Sequence, residues 1–381
     1  MELYRKGNFF LILLFLLFFL CTVLFELQFQ QFISQKFLVL NNQTVPLKKA
    51  PLAPAYEFPK KLANPPEVIK AIYVTGWSAG TKKYLDYLSD LFEKTEINAV
   101  VIDIKDYSGI VSYKSGGPIK DIDSLVRFLH DKNIYVIGRV SVFEDPAYAK
   151  ARPELAIHDS VGNLWRDNNG LFWLDPASKD VWEYNISVAK DVFLHGFDEV
   201  NFDYIRFPSD GNMKNISFPF WDGIKTRAEV IKEFFEYLRK ELKGEKISAD
   251  LFGQTTTNTD DMGIGQIIEN AFENFDYVSP MVYPSHYASG FIGFASPAEH
   301  PYEIVKYSMD SAVLRKAAFA SNGALAAKVR PWLQDFNMGA NYTAEMVKAE
   351  IKAVEDALGE NYNGFMLWNA SNIYTAGAVL K

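Results

Sequence analysis

The chain has 381 residues, 49% of them hydrophobic and 15% aromatic, enough to bury a large core and to leave rings over for surfaces. That excludes a disordered chain. A net charge of −8 and a pI near 5.3 provide no basic footprint for a nucleic-acid backbone, and the single cysteine, Cys21, excludes an internal disulfide framework and a cysteine-rich metal site.

In chain order the first signal is the uncharged run from Phe9 to Phe25, "FFLILLFLLFFLCTVLF", behind Arg5 and Lys6. It has the minimum length of a membrane span and no A-x-A-like cleavage site follows it. Residues 1–40 are therefore read as a cytosolic tip and an uncleaved transmembrane anchor. The next stretch, 41–66, is rich in proline and lysine and is predicted to stay extended and solvated as a tether. The remainder, 67–381, is then a domain on the extracytoplasmic side of a cell membrane.

From Lys70 onward short apolar strands alternate with amphipathic helices. Strands are predicted at 71–76, 99–105, 134–142, 199–207, 246–252, 277–283, 328–336 and 364–370, with helical patterns starting at Lys82, Asp123, Arg227 and Thr343. Strand followed by helix, repeated to the number that closes a ring, predicts an α/β fold of the (β/α)8 TIM-barrel type. The rival, an open doubly wound sheet, lacks its usual G-x-G-x-x-G or P-loop after the first strand.

Within the stretch "HGFDEVNFDYIRFPSDG", Val200, Phe202 and Tyr204 alternate with Glu199, Asn201 and Asp203. In a barrel the first set faces the helices and the second the interior, which turns polar near the C-terminal mouth. The same phase sets Asp103 and Lys105 against Val100, Ile102 and Ile104, and Asp250 against Ile247, Ala249 and Leu251. Arg139, Tyr283, Gln334 and Trp368 fall near the ends of four more strands. Polar groups repeated in phase on several strands point to a site, because unpaired buried charges are costly.

The segments "GFDEVNFDYIRFPSDG", "ISADLFG", "DYVSPMVYPSHY", "RPWLQDF" and "GFMLWNAS" resemble the glycosyl-hydrolase domain family of bacterial barrel proteins, from about Ile72 to the C-terminus. The resemblance implies a (β/α)8 barrel related to the α-amylase type. Amylase-type barrels place a catalytic Asp two residues after an Arg on the fourth strand. Here Asp203 precedes Arg206, so those roles do not transfer directly.

Glycoside hydrolysis needs two carboxyl groups across the scissile bond. Neighbouring barrel strands lie about 4.8 Å apart, so Asp203 and Asp250 are expected to pair, Asp203 as nucleophile or base held by Arg206 or a neighbouring donor, Asp250 as acid. Asp103 is the reserve. Lys105, Arg139 and Tyr283 would tune these groups and hold hydroxyls, with Asn201, His286 and Gln334 nearby; interior ion pairs of Lys105 or Arg139 with Asp103 or Asp250 are the structural alternative. Trp77, Trp165, Trp173, Phe218, Phe220, Trp221, Trp332 and Trp368 supply flat faces for sugar rings, about half of them expected in the core. No H-x-H or H-E-x-x-H spacing occurs, so no metal or cofactor is called for. Two readings follow: an anchored glycoside hydrolase acting on a polysaccharide, or a catalytically silent glycan-binding barrel of an envelope complex. Separated carboxyl pKa values at the mouth favour the first, and carboxylates locked in salt bridges under closed loops favour the second.

Overall fold

A computed structural model describes residues 57–381 apart from Asn322. Eight parallel strands, β1 (Ile69–Val74), β2 (Ala99–Lys105), β3 (Tyr135–Ser141), β4 (Glu199–Asp203), β5 (Ile247–Phe252), β6 (Tyr277–Met281), β7 (Lys328–Val329 and Trp332–Gln334) and β8 (Gly364–Trp368), pair in chain order. Pairing of β7 with β8, Trp332 opposite Met366, and of β8 with β1, Ile69 opposite Gly364, closes the ring. The predicted barrel is thus present. Strand seven is assigned in two pieces because Pro331 has no N–H to give the ladder.

Helices α1 (Lys82–Lys94), α2 (Ile122–Asp131), α3 (Lys179–Leu194), α4 (Arg227–Glu241), α5 (Ile268–Asn274), α6 (Pro301–Ala320) and α7 (Ala344–Leu358) each follow the strand of the same number. Their starts are written locally. Thr226 and Glu229 form a capping box at α4, while Asp121 and Thr343 cap α2 and α7 through the N–H groups of Ser124 and Met346. Spacing of three and four then decides the buried face, as with Leu88, Leu91 and Phe92 of α1.

Two separate cores result. Val100, Ile102 and Ile104 of β2, Val200 and Phe202 of β4, and Ile247, Ala249 and Leu251 of β5 pack with the helices in the outer one, as their phase predicts. The inner one fills the barrel with Ala71, Tyr73, Val101, Ile137, Trp332 and Met366 among others. Leu62 packs against this inner core, and its backbone N–H donates to the Asp198 carboxylate at 2.7 Å. Lys61 pairs with Glu245, and the Phe58 ring meets the His195 ring edge-on at 5.5 Å. Residues 58–62 are therefore docked on the barrel, correcting the expectation of a solvated tether up to residue 66. The anchor and the tether up to residue 56 lie outside the described residues, and no helix among those described is long and apolar enough to cross a membrane.

Candidate active site

The inward side of β4 answers why a strand so apolar on one face is so polar on the other. At the barrel's N-terminal end Glu199 pairs with Arg330, both fully buried, and also accepts from Ser248 at 2.5 Å and Tyr135 at 3.3 Å. One pleat up, Asn201 donates to Ser248 Oγ at 3.0 Å and to Asp250 Oδ1 at 2.8 Å. At the mouth Asp203 receives the N–H of Tyr204 at 2.6 Å on Oδ1 and Arg139 on Oδ2.

Arg139 is the hub. Its guanidinium donates to Asp103 at 2.5 Å and to Asp203, and its Nε lies 3.8 Å from Asp250 Oδ2 without a hydrogen bond. Tyr73 closes the far side of Asp103. One cation thus faces three buried carboxyls, and the proton distribution follows. Burial lowers the guanidinium's proton affinity, but Asp103 and Asp203 more than offset it and Arg139 stays charged. Asp250 is held far above the usual carboxylate range, first by burial and then by the charge of Asp203. Asp103 is raised too, again by burial, with Arg139 opposing.

Asp203 alone of these three carboxyls lines the open cleft, a space of about 310 Å³ bounded also by Tyr204, Arg206, Phe252, Gly253, Gln254, Met281, Tyr283 and His286. Tyr204 takes a left-handed φ of 52° directly after Asp203. This ends β4 four residues before the predicted limit at 207. The Tyr204 ring packs against the outer core, as its phase predicts, and also lines the cleft. A left-handed aromatic residue is strained by about 1–2 kcal/mol, and such strain concentrates at functional sites. At Gly253 a Cβ would come within 2.5 Å of the Met281 carbonyl oxygen, so that wall admits no side chain. Burial, then Asp250 and Asp203, raise the Tyr283 phenol, which remains protonated as a donor; burial lowers His286.

Several expectations need correction. Asp250, expected as the acid, is 1% exposed, and its Oδ1 is taken by Asn201 and by Trp332 Nε1 at 2.7 Å. It lies beneath the cleft. Arg206 does not hold Asp203: it donates to the Phe207 carbonyl and Ser209, and stacks on Phe252 and Trp173 at 4.7 and 4.8 Å. Lys105 leaves the interior because the β2–β3 register shifts between Asp103 and Lys105, and its ammonium is taken by Asp145 at 2.6 Å and Asn185 at 2.8 Å. The structural alternative of an ion pair is realised for Lys105, though with a different acid. Arg139 is paired with Asp103, as that alternative also had it.

Trp332 is fully buried and, like Trp165 and Trp173, presents no face to a ligand. Trp368, half-buried, stacks on Tyr73 at 3.9 Å, with the Arg139 guanidinium 5.1 Å from its centroid. Gln334 receives the Ser285 N–H at 3.1 Å and donates to the Phe336 carbonyl at 2.9 Å, so it positions the His286 turn without lining the cleft. Asn201 and Asp103 act from below in the same way.

Sequence reading missed Glu144. It follows β3, is 4% exposed, and its carboxyl is pushed up to about 8 by burial and by Asp167, with Arg206 opposing and Asp203 adding to the rise. The available signal was position: it is the first acid beyond the C-terminal end of a barrel strand.

Residues 71–374 match the family described as "Putative glycosyl hydrolase domain". None of the curated proteins matches the chain. A hypothetical protein of known structure from Ruminiclostridium thermocellum ATCC 27405 is 42% identical over 51% of this chain and 98% of its own, with a TM-score of 0.44. The PgaB (BpsB) glycoside hydrolase domain from Bordetella bronchiseptica aligns over 79% of this chain and 94% of its own at 13% identity and a TM-score of 0.56. The α-galactosidase TtGalA from Thermus thermophilus, in complex with p-nitrophenyl α-D-galactopyranoside, aligns over 81% of this chain and 59% of its own at 12% identity and a TM-score of 0.52. At such identities the last two speak to the fold alone. The match over residues 71–374, carried on a closed (β/α)8 barrel with its carboxyls at the C-terminal mouth, makes the chain a member of the "Putative glycosyl hydrolase domain" family.

Proposed function

We propose that the domain hydrolyses O-glycosidic bonds of a polysaccharide, with Asp203 as the carboxylate that meets the anomeric carbon. One observation carries this reading: Asp203, at the C-terminal end of β4, opens onto the cleft while Arg139 and the Tyr204 N–H fix its oxygens. The rings of Tyr204, Phe252 and Tyr283 offer faces to a pyranose, and Tyr283 and His286 offer polar groups for hydroxyls. With its oxygens fixed by Arg139 and the Tyr204 N–H, Asp203 suits nucleophilic attack, and so retention of configuration. Beneath it, burial and the charge of Asp203 favour the neutral form of Asp250, which limits the charge around Arg139. An anchor at residues 9–25, holding the domain outside a membrane, is supported by the sequence only.

A second reading, a catalytically silent glycan-binding barrel, is favoured by one specific observation: Asp103 and Asp203 share the Arg139 salt bridge. The open cleft at Asp203 supports catalysis instead. The test is a screen of the full chain in detergent against bacterial polysaccharides, read by new reducing ends. Hydrolysis supports the first reading. Tight binding without hydrolysis supports the second.

A further inference from the structure

We propose that Arg206 makes the cleft selective for acidic glycans, its guanidinium receiving the carboxylate of a uronic acid residue. This rests on the reading of the domain as a glycoside hydrolase and names the class of polysaccharide it takes.

Arg206 is held in place from its backbone outward. It stands three residues beyond Asp203, past the left-handed Tyr204, and its neighbours Ile205 and Phe207 are fully buried in the outer core. The N–H of Phe207 donates to the Ile264 carbonyl at 2.9 Å. The Arg206 side chain, 8% exposed, belongs to the cleft wall. Its guanidinium carbon lies 4.7 Å from the ring centroid of Phe252, 4.8 Å from that of Trp173 and 5.6 Å from that of Tyr204. Nη1 donates to the Phe207 carbonyl at 3.1 Å and to Ser209 Oγ at 3.2 Å. Three rings around the guanidinium and two bonds at one nitrogen leave it little freedom, so it is preorganised for a ligand.

The other two nitrogens, Nε and Nη2, make no hydrogen bond among the described residues, and no carboxylate there forms an ion pair with Arg206. The other buried arginines differ on that point. Arg139 has Asp103 and Asp203, and Arg330 has Glu199. Those two also carry an unbonded Nε, but theirs are sealed inside the protein, whereas no nitrogen of Arg206 is sealed and Arg206 lines the cleft. The acids close to it in the fold are engaged elsewhere: Asp203 with Arg139 and the Tyr204 N–H, Asp210 with the Asn168 N–H, and Asp167 with Trp173 Nε1 at 3.0 Å.

A guanidinium nine-tenths buried without a counter-ion costs stability, and an anion brought by the ligand removes that cost. The Nε–Nη2 edge of an arginine presents two parallel N–H donors, which match the two oxygens of a carboxylate. A neutral sugar hydroxyl can accept one of them but leaves the charge uncompensated. Phe252 and Tyr204, on the same wall, would carry the C–H face of the same sugar. His286, the other basic side chain lining the cleft, is held neutral at pH 7 by burial. The chain's net charge of −8 supplies no long-range attraction for an acidic polymer, so selection falls to this one contact.

The test measures binding of the full chain in detergent, by titration calorimetry, to polygalacturonate, alginate and hyaluronan, each beside its carboxyl-reduced form, and to dextran sulfate beside dextran. New reducing ends are read in parallel. Wild type is expected to bind at least one carboxylated polymer about 10- to 100-fold more tightly than its reduced form. Arg206→Met should bind both forms alike, and Arg206→Lys, which keeps the charge but loses the fork, should retain only part of the preference. Absence of a preference in all three pairs, an Arg206→Met chain that keeps it, or selectivity for dextran sulfate alone overturns the proposal. If Arg206→Met does not fold, Arg206→Lys decides, and an undiminished preference in it overturns the assignment. The two readings fail separately. Cleavage confined to neutral polymers, with no carboxylate preference, overturns the acidic-glycan site and leaves the hydrolase reading standing. Carboxylate-selective binding through Arg206 without cleavage of any polymer supports the site and sinks the hydrolase reading.

Discussion

Arg139 has three carboxyls within reach and only one charge to give, so its removal should be felt by all of them. Arg139→Met would leave Asp103 and Asp203 buried beside each other without a counter-ion. We expect a loss of about 3–5 kcal/mol in urea unfolding at pH 7, smaller at pH 4 where the carboxyls can take up protons. An equal loss at both pH values would contradict that electrostatic account. Glu144 gives a second prediction at this scale. Its folded pKa of about 8 lies above the ordinary Glu value of about 4.3, so its contribution to stability is complete below that ordinary value and is lost as pH rises through about 8. Glu144→Gln cannot ionise and should therefore gain in melting temperature relative to wild type between pH 5 and pH 8.5. A constant difference would contradict the elevated pKa. Asp203 was legible in the sequence because phase alone tells which side of a strand a residue faces. Depth was not, since Asp203 and Asp250 share a phase and differ in which of them reaches the cleft. Lys105 shows the other failure, because a single register shift reverses the phase on which its assignment depended.

At the scale of elements, β4 stops where Tyr204 turns left-handed, and alternation of residue types carries no mark of that. Strand positions were otherwise readable throughout, because apolar runs between helical patterns leave little choice of partner. The β3–α3 and β4–α4 connections were not, since they are held by long-range contacts such as Asn168 N–H to Asp210 at 3.0 Å and Trp165 Nε1 to the Asn212 carbonyl at 3.1 Å. The segment at 58–62 was misread for a related reason: composition reports solvation, but Leu62 packs against the inner core at the barrel's N-terminal end. A chain beginning at residue 67 should accordingly be less stable than one beginning at residue 57, by about 1–3 kcal/mol in urea unfolding for the lost Leu62 burial and hydrogen bonds. Equal midpoints would show that the segment only rests on the surface.

Over the whole molecule, the barrel carries ion pairs at both ends of its interior, Glu199 with Arg330 at the closed end and Arg139 with Asp103 and Asp203 at the open one. The two differ in what surrounds them. Glu199 and Arg330 are sealed at 0% exposure and can only shape the fold, whereas Asp203 borders the cleft and can meet a ligand. Chemistry at one defined carboxylate in the mouth is the central claim, and covalent trapping tests it most directly. The full chain would be incubated with 2-deoxy-2-fluoro glycosides of the sugar it cleaves, and the labelled peptide mapped by mass spectrometry. The account predicts one adduct, an ester on Asp203. An ester on Asp250, Asp103 or Glu144, or hydrolysis of the natural linkage that proceeds normally in Asp203→Asn, would contradict it.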